Sequence, residues 1–137
     1  MLVSLGPAQA NGQCEALAKA AFEDNSGRVA ALVAAGVSVN CSYSGSYVSK
    51  DTGKTVIYTS SPLQDAVSIL LTNLKAVRLL LRHGVNVNLK DGKGETPLDR
   101  IGKHFFFLEM AGGTNEEFDE AEAVERLLKQ AGGVHGR

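Results

Sequence analysis

Tryptophan is absent from this chain of 137 residues, proline occurs only three times and cysteine only twice. Two cysteines are too few for a disulfide-dense scaffold or for a zinc site built from cysteine alone. No stretch reaches the roughly 18 apolar residues that a membrane-spanning helix needs. A dominant charge is missing too, since 14 basic and 15 acidic residues leave a formal net charge of −1. That excludes a basic stripe over the whole molecule, the usual mark of a nucleic-acid binder. Gly-rich phosphate loops, nucleophile elbows and His-x-x-x-His pairs are not found. The three histidines, His83, His104 and His135, have no ligand-spaced partners. No enzyme, metal or cofactor is therefore expected. What is present is ordinary for one globular domain: 44% hydrophobic and 21% charged residues. A chain near this length hides roughly 68–70% of its unfolded surface, enough for a real core.

Residues 1–10 end in Ala8-Gln9-Ala10, the small-x-small form of a signal-peptidase site. The charged start and the apolar stretch of a full signal peptide are missing. The segment reads either as the tail of a longer signal or as an Ala-rich lead-in to the first helix. The first reading makes the protein periplasmic or exported, the second leaves it cytoplasmic.

Internal repetition is the strongest signal. One phrase occurs three times: Val29 to Asn40, Ala76 to Asn88, and Ala123 to Val134. Each is an apolar helix pattern that stops at a glycine (Gly36, Gly84, Gly132). Glycine just past the last turn suits the left-handed cap that other residues resist. Ser61-Pro62-Leu63 and Thr96-Pro97-Leu98 form a second phrase, a helix N-cap followed by proline at the first helical position.

This combination resembles the ankyrin repeat. The clearest match is Gly94-Glu95-Thr96-Pro97-Leu98, and Leu79 to Asn88 matches the end of a repeat. Leu17, Ala20, Ala21, Val29, Leu32 and Gly36 fall in register in the first unit. The resemblance covers about residues 14–133. It implies a mainly α fold, an ankyrin-repeat solenoid of stacked helix-turn-helix units, here with an inserted β-hairpin. The expected domain is 11–137, with repeats at about 14–40, 61–88 and 94–133 and the insertion at about 42–60. The resemblance also implies a non-catalytic role in binding another protein on the concave face, where the turns project like fingers.

The departures locate the insertions. Gly36 to Gly84 is 48 residues, against a family period of about 33. Most of the excess lies between Asn40 and Ser61, and two residues lie between Ser61 and Gly84. In the third unit Thr96 to Gly132 is 36 residues, which predicts an inserted segment within Phe106–Asp119. The family histidine after Thr-Pro-Leu is replaced by Gln64 and by Asp99. Three consecutive residues, Phe105-Phe106-Phe107, cannot share one helix face. Core packing under the inserted segment accounts for them best, contact with a partner being the other reading.

The first insertion reads as a β-hairpin. Ser42–Ser49 and Thr55–Ser60 are rich in β-branched and aromatic residues. A two-residue turn at Thr52-Gly53 sets Tyr47 opposite Tyr58 and Val48 opposite Ile57; a three-residue loop shifts this by one. All three tyrosines, Tyr43, Tyr47 and Tyr58, lie here. Tyrosine gives wide amphipathic contact at low entropy cost. Tyr43, Tyr47, Tyr58, Lys54, Lys90 and Lys93 are therefore the candidate partner-binding residues, packing onto the helices being the other reading of the tyrosines. An inhibitor or immunity protein that plugs an enzyme or toxin with the hairpin, and an adapter that self-associates through exposed Phe, are the alternative functions. A monomer is expected.

Charge is divided along the chain. Residues 75–103 carry seven basic and three acidic groups, and residues 109–125 carry seven acidic and no basic ones. Solvated helix faces explain this without a partner, though a bipolar surface can also steer one. Cys14 and Cys41 bracket the first unit and fall on the same side of a stack. They form either a disulfide or two buried thiols.

Overall fold

The computed structural model describes residues 7–136, with side chains from Gly12 onward. Residues 1–6 lie outside the described residues, and with them most of the lead-in segment. Six helices and two strands follow one another: α1 (Pro7–Phe22), α2 (Ser26–Ala34), β1 (Tyr43–Val48), β2 (Thr55–Ser60), α3 (Pro62–Ala66), α4 (Leu74–Arg82), α5 (Pro97–Ala111) and α6 (Asn115–Gln130). Helix α1 packs on α2, α3 on α4 and α5 on α6. Across these pairs α1 meets α3 and α3 meets α5, while α2 meets α4 and α4 meets α6. The result is two layers of stacked helices, an inner one (α1, α3, α5) and an outer one (α2, α4, α6).

The core runs between the layers. Leu17, Val29, Leu63, Val77, Leu80, Ile101, Val124 and Leu128 are buried in one continuous cluster. Val37, Val39, Val85 and Val87 extend it under the turns. The repeated glycines take the predicted conformation, with φ of 101°, 79° and 93° at Gly36, Gly84 and Gly132. The two Ser/Thr-Pro starts are N-caps. Ser61 accepts from the Gln64 N–H, and Thr96 forms a reciprocal capping box with Asp99. Helix α6 starts with a second box, Thr114 with Glu117.

Neighbouring units cap one another. The Asn73 side chain does not cap its own helix; it donates to Ala21 and Phe22 O at 2.7 and 2.6 Å, at the end of α1. The Leu74 and Ala76 N–H groups at the start of α4, which have no partner within the helix, go to Glu120 and Asp24 carboxylates from the units on either side. Two asparagines join the turns in the same way. Asn40 accepts from Asn86 N and donates to Gly84 O, and Asn88 accepts from Val134 N and donates to Gly132 O.

The expected inserted segment within Phe106–Asp119 is not there. The third unit instead lengthens both helices, so that α5 has 15 residues, α6 has 16, and only Gly112–Thr114 separates them. An uninterrupted run of helix formers continues past Phe107, and nothing stops α5 before Gly112, which adopts φ 72°. Phe105 stacks on Phe118 of α6, Phe107 stacks on His104, and Phe106 points outward. Cys14 lies near the middle of α1, which begins at Pro7.

Candidate functional site

The hairpin is antiparallel, and its register differs from both expectations. Tyr47 faces Val56, Ser46 faces Ile57 and Gly45 faces Tyr58. The reason is the loop. Ser49 N–H donates to Lys54 O at 2.9 Å and Gly53 N–H donates to Ser49 O at 2.8 Å. Four residues, Lys50–Gly53, therefore form the connection instead of two or three. The shift from the two-residue register is two positions, which leaves every side chain on its expected face. Tyr43, Tyr47 and Tyr58 do share one face.

Gly45 makes room for this aromatic group. A Cβ at position 45 would clash with the hydroxyl end of the Tyr58 ring. Tyr58 thus lies across the bare glycine, with the Tyr43 and Tyr47 rings each 6.3 Å away, the first edge-on and the second tilted. The geometry suits the quadrupole of the rings and covers a weak glycine in the strand.

The root of the hairpin is fixed by polar contacts. The Tyr43 hydroxyl donates to Asp65, and the Ser60 hydroxyl donates to the same carboxylate at 2.6 Å. Burial raises the Asp65 carboxyl above its ordinary range, against the lowering pull of Ser60, Tyr43 and Arg100. Burial, with Asp65 beside it, also raises the Tyr43 hydroxyl. Arg100 donates to Asp91 at 3.0 Å and to Gln64 O at 2.8 Å. Gln64 fills the place of the family histidine: its buried amide donates to Leu89 O and Glu95 O at 2.7 and 2.9 Å. Cys14 and Cys41 stand at disulfide distance, Cα to Cα 5.9 Å, joining α1 to the segment that enters β1.

Between β2 and the next turn runs a cleft of about 450 Å³. Tyr47, Ile57, Tyr58 and Thr59 form one wall, and Asp91–Lys93, Glu95, Arg100 and Lys103 the other. Phe22, Ile69 and Leu70 line it as well. Ile57 is 75% exposed and Leu70 60%. Ile69 and Lys103 also border a second depression with Phe106 and Met110 on α5. The exposed apolar surface is therefore continuous from hairpin to α5.

Of the candidate residues, the structure brings Tyr47, Tyr58 and Lys93 to the cleft. Tyr43 is on the side facing α1, tied to Asp65. Lys54 and Lys90 are exposed but do not line the cleft. Sequence reasoning missed Ile57 as a cleft residue, and it missed Ile69 and Leu70. The last two sit on the short connection that the two extra residues before Gly84 had marked. Ser68 binds Leu70 N, Leu71 N and Leu71 O, and Val67 pairs with Thr72. Buried His104 donates from Nδ1 to Ile69 O at 2.8 Å, the carbonyl being able only to accept. A lone histidine before a Phe run gave no hint of this.

Among the described residues no cluster of His, Cys, Asp and Glu could hold a metal ion. No helix there is long and apolar enough to cross a membrane.

Known proteins place this architecture. The ankyrin repeat family model matches residues 60–92. Among the 26 solved chains that match is an ankyrin repeat domain from Acinetobacter baumannii AYE, 28% identical, with a TM-score of 0.56. The match covers 86% of this chain and 47% of that one, so the chain spans about half the length of that domain structure. No curated protein matches. Ankyrin repeats generally mediate protein–protein interaction and are typically non-catalytic. The chain, with its two layers of stacked helix pairs and its hairpin, carries an ankyrin repeat at residues 60–92 and has the ankyrin-repeat fold.

Proposed function

We propose that this protein binds another protein in the cleft walled by the inserted hairpin, and performs no chemistry itself. The observation that carries the reading is the exposed apolar lining of that cleft, Tyr47, Ile57, Tyr58, Ile69 and Leu70. These five large side chains come from two segments whose polar contacts hold them in place without a partner. A preorganised site of this kind lowers the entropy cost of association. We take the repeats as about 14–40, 61–88 and 94–133, with Lys93 at the rim of the site.

A pull-down from the native host's lysate and exported fraction tests this. Wild type runs beside Tyr47→Ala/Tyr58→Ala and Ile57→Ser/Leu70→Ser, each checked for folding by circular dichroism. The reading expects a partner captured by wild type and lost by both folded variants. Equal capture by all three would move the site to the helical faces of the second and third units.

A further inference from the structure

The hairpin has a free edge on the cleft. The Ser49–Lys54 bond fixes which pairs face inward: that pair, Tyr47 with Val56, and Gly45 with Tyr58 turn their N–H and C=O groups towards each other. Thr55, Ile57 and Thr59 therefore turn theirs outward, to the other side of β2. Thr59 O accepts from Gly92 N–H at 3.3 Å, where the next turn closes one end of the cleft. The N–H and C=O of Thr55 and Ile57 have no backbone partner among the described residues. Beside Ile57 the cleft is open; Ile57 and Thr59 both line it, and Thr55 follows on the same edge just outside it. Ser44, Ser46 and Val48, on the outward edge of β1, do not line this cleft.

Charge narrows the occupant. The two acids that line the cleft are already matched, Asp91 by Arg100 and Glu95 by Lys103. Lys93 is exposed and in no ion pair among the described residues. The cleft therefore presents one uncompensated cation next to an apolar trough and an unpaired strand edge.

We infer that the cleft takes an extended segment of the partner protein, which pairs with β2 as a third strand at Thr55 and Ile57. It presents apolar residues at alternate positions to Ile69, Leu70 and Tyr47, and an Asp or Glu to Lys93. Backbone pairing supplies the affinity and the trough and Lys93 supply the selectivity. The inference rests on the reading of the cleft as the partner site.

A displayed library of random 12-residue peptides, selected on immobilised wild type, tests it. Enriched peptides are counter-screened on Ile57→Pro, which deletes the outward N–H, and on Ile57→Ser, which keeps it. Proline is tolerated on an edge strand where the N–H faces solvent, and circular dichroism checks both variants. The expected peptides alternate Val, Ile, Thr or aromatic residues and carry an acid. Their binding falls about tenfold on Ile57→Pro, the size of one good hydrogen bond, falls less on Ile57→Ser, and weakens on Lys93→Glu. Peptides that bind Ile57→Pro like wild type but lose Ile57→Ser would overturn the strand pairing while leaving the cleft as the partner site. No enrichment would also overturn it, and the pull-down on Ile57→Ser/Leu70→Ser would then judge the cleft separately. A concentration-dependent dimer dissolved by Ile57→Pro would replace the foreign segment with a second copy.

Discussion

At the scale of single residues, the stack depends on polar side chains that reach the neighbouring unit. Gln64 is the clearest case. Removing its buried amide leaves the Leu89 carbonyl without its donor and the Glu95 carbonyl with only the Asp91 N–H, so Gln64→Leu loses about 1–3 kcal/mol in urea unfolding. Asp99, in the equivalent place of the next unit, accepts from Thr96 N, Gly136 N and His135. Burial alone would raise its carboxyl, but these donors outweigh it and hold it at about 2. A folded pKa below the unfolded one stabilises above the ordinary carboxylate range, near 4, and that contribution is lost as pH falls towards 2. Asp91 is held down as well, by backbone N–H groups and Arg100 working against its burial. Asp65 runs the other way: burial raises it, so protonation relieves a cost as pH falls. Asp99→Asn should flatten the decline of stability between pH 5 and 2, read from urea midpoints at each pH. An unchanged slope would remove Asp99 from the acid response.

At the scale of elements, the hairpin is held at its root and shaped by Gly45. Valine there would strike the Tyr58 ring, so Gly45→Val displaces the ring from the cleft wall. The helices do not depend on it, and far-UV circular dichroism should change little while partner capture falls. A second prediction concerns the link between α1 and the hairpin. Cys14 and Cys41 are separated by 27 positions, and closing such a loop is worth about 3–4 kcal/mol in the chain-entropy model. Cys14→Ser/Cys41→Ser should lose about that much, and thiol titration of the oxidised wild type should find no free thiol.

The elements also mark how far the sequence was legible. The Ser61-Pro62 and Thr96-Pro97 caps and the three glycine stops were readable because each is a local conformational demand. The hairpin was readable from composition, and Tyr47 and Tyr58 share a face, as the two-residue turn implied. The register was not readable, because Gly53 serves a four-residue loop whose closing bonds involve Ser49 and Lys54, which carry no distinctive turn signal. The extra residues of the third unit were counted correctly but assigned to a separate segment. Length alone cannot say whether added residues form a loop or continue a helix; the absence of a breaker before Gly112 decides it. The cleft was half visible. Tyr47, Tyr58 and Lys93 stood out by residue type, whereas Ile57, Ile69 and Leu70 look like core residues until the fold turns them outward.

At the scale of the whole molecule, two different insertions give one spacing. Gly36, Gly84 and Gly132 are 48 residues apart twice over, once by way of the hairpin and once by way of longer helices. The turns still stack in register, joined by Asn40 and Asn88. The stack thus fixes the base of the hairpin relative to the next turn, and the cleft lies between them. Its acids are internally paired and its apolar lining is exposed, so the central claim is that partner contact is confined to this cleft. Hydrogen–deuterium exchange on the complex with the captured partner tests that directly. The account predicts new protection at residues 55–59, 68–71 and 91–95, and little change along α2, α4 and α6. Protection confined to those outer helices, with 55–59 exchanging as in the free protein, would contradict it.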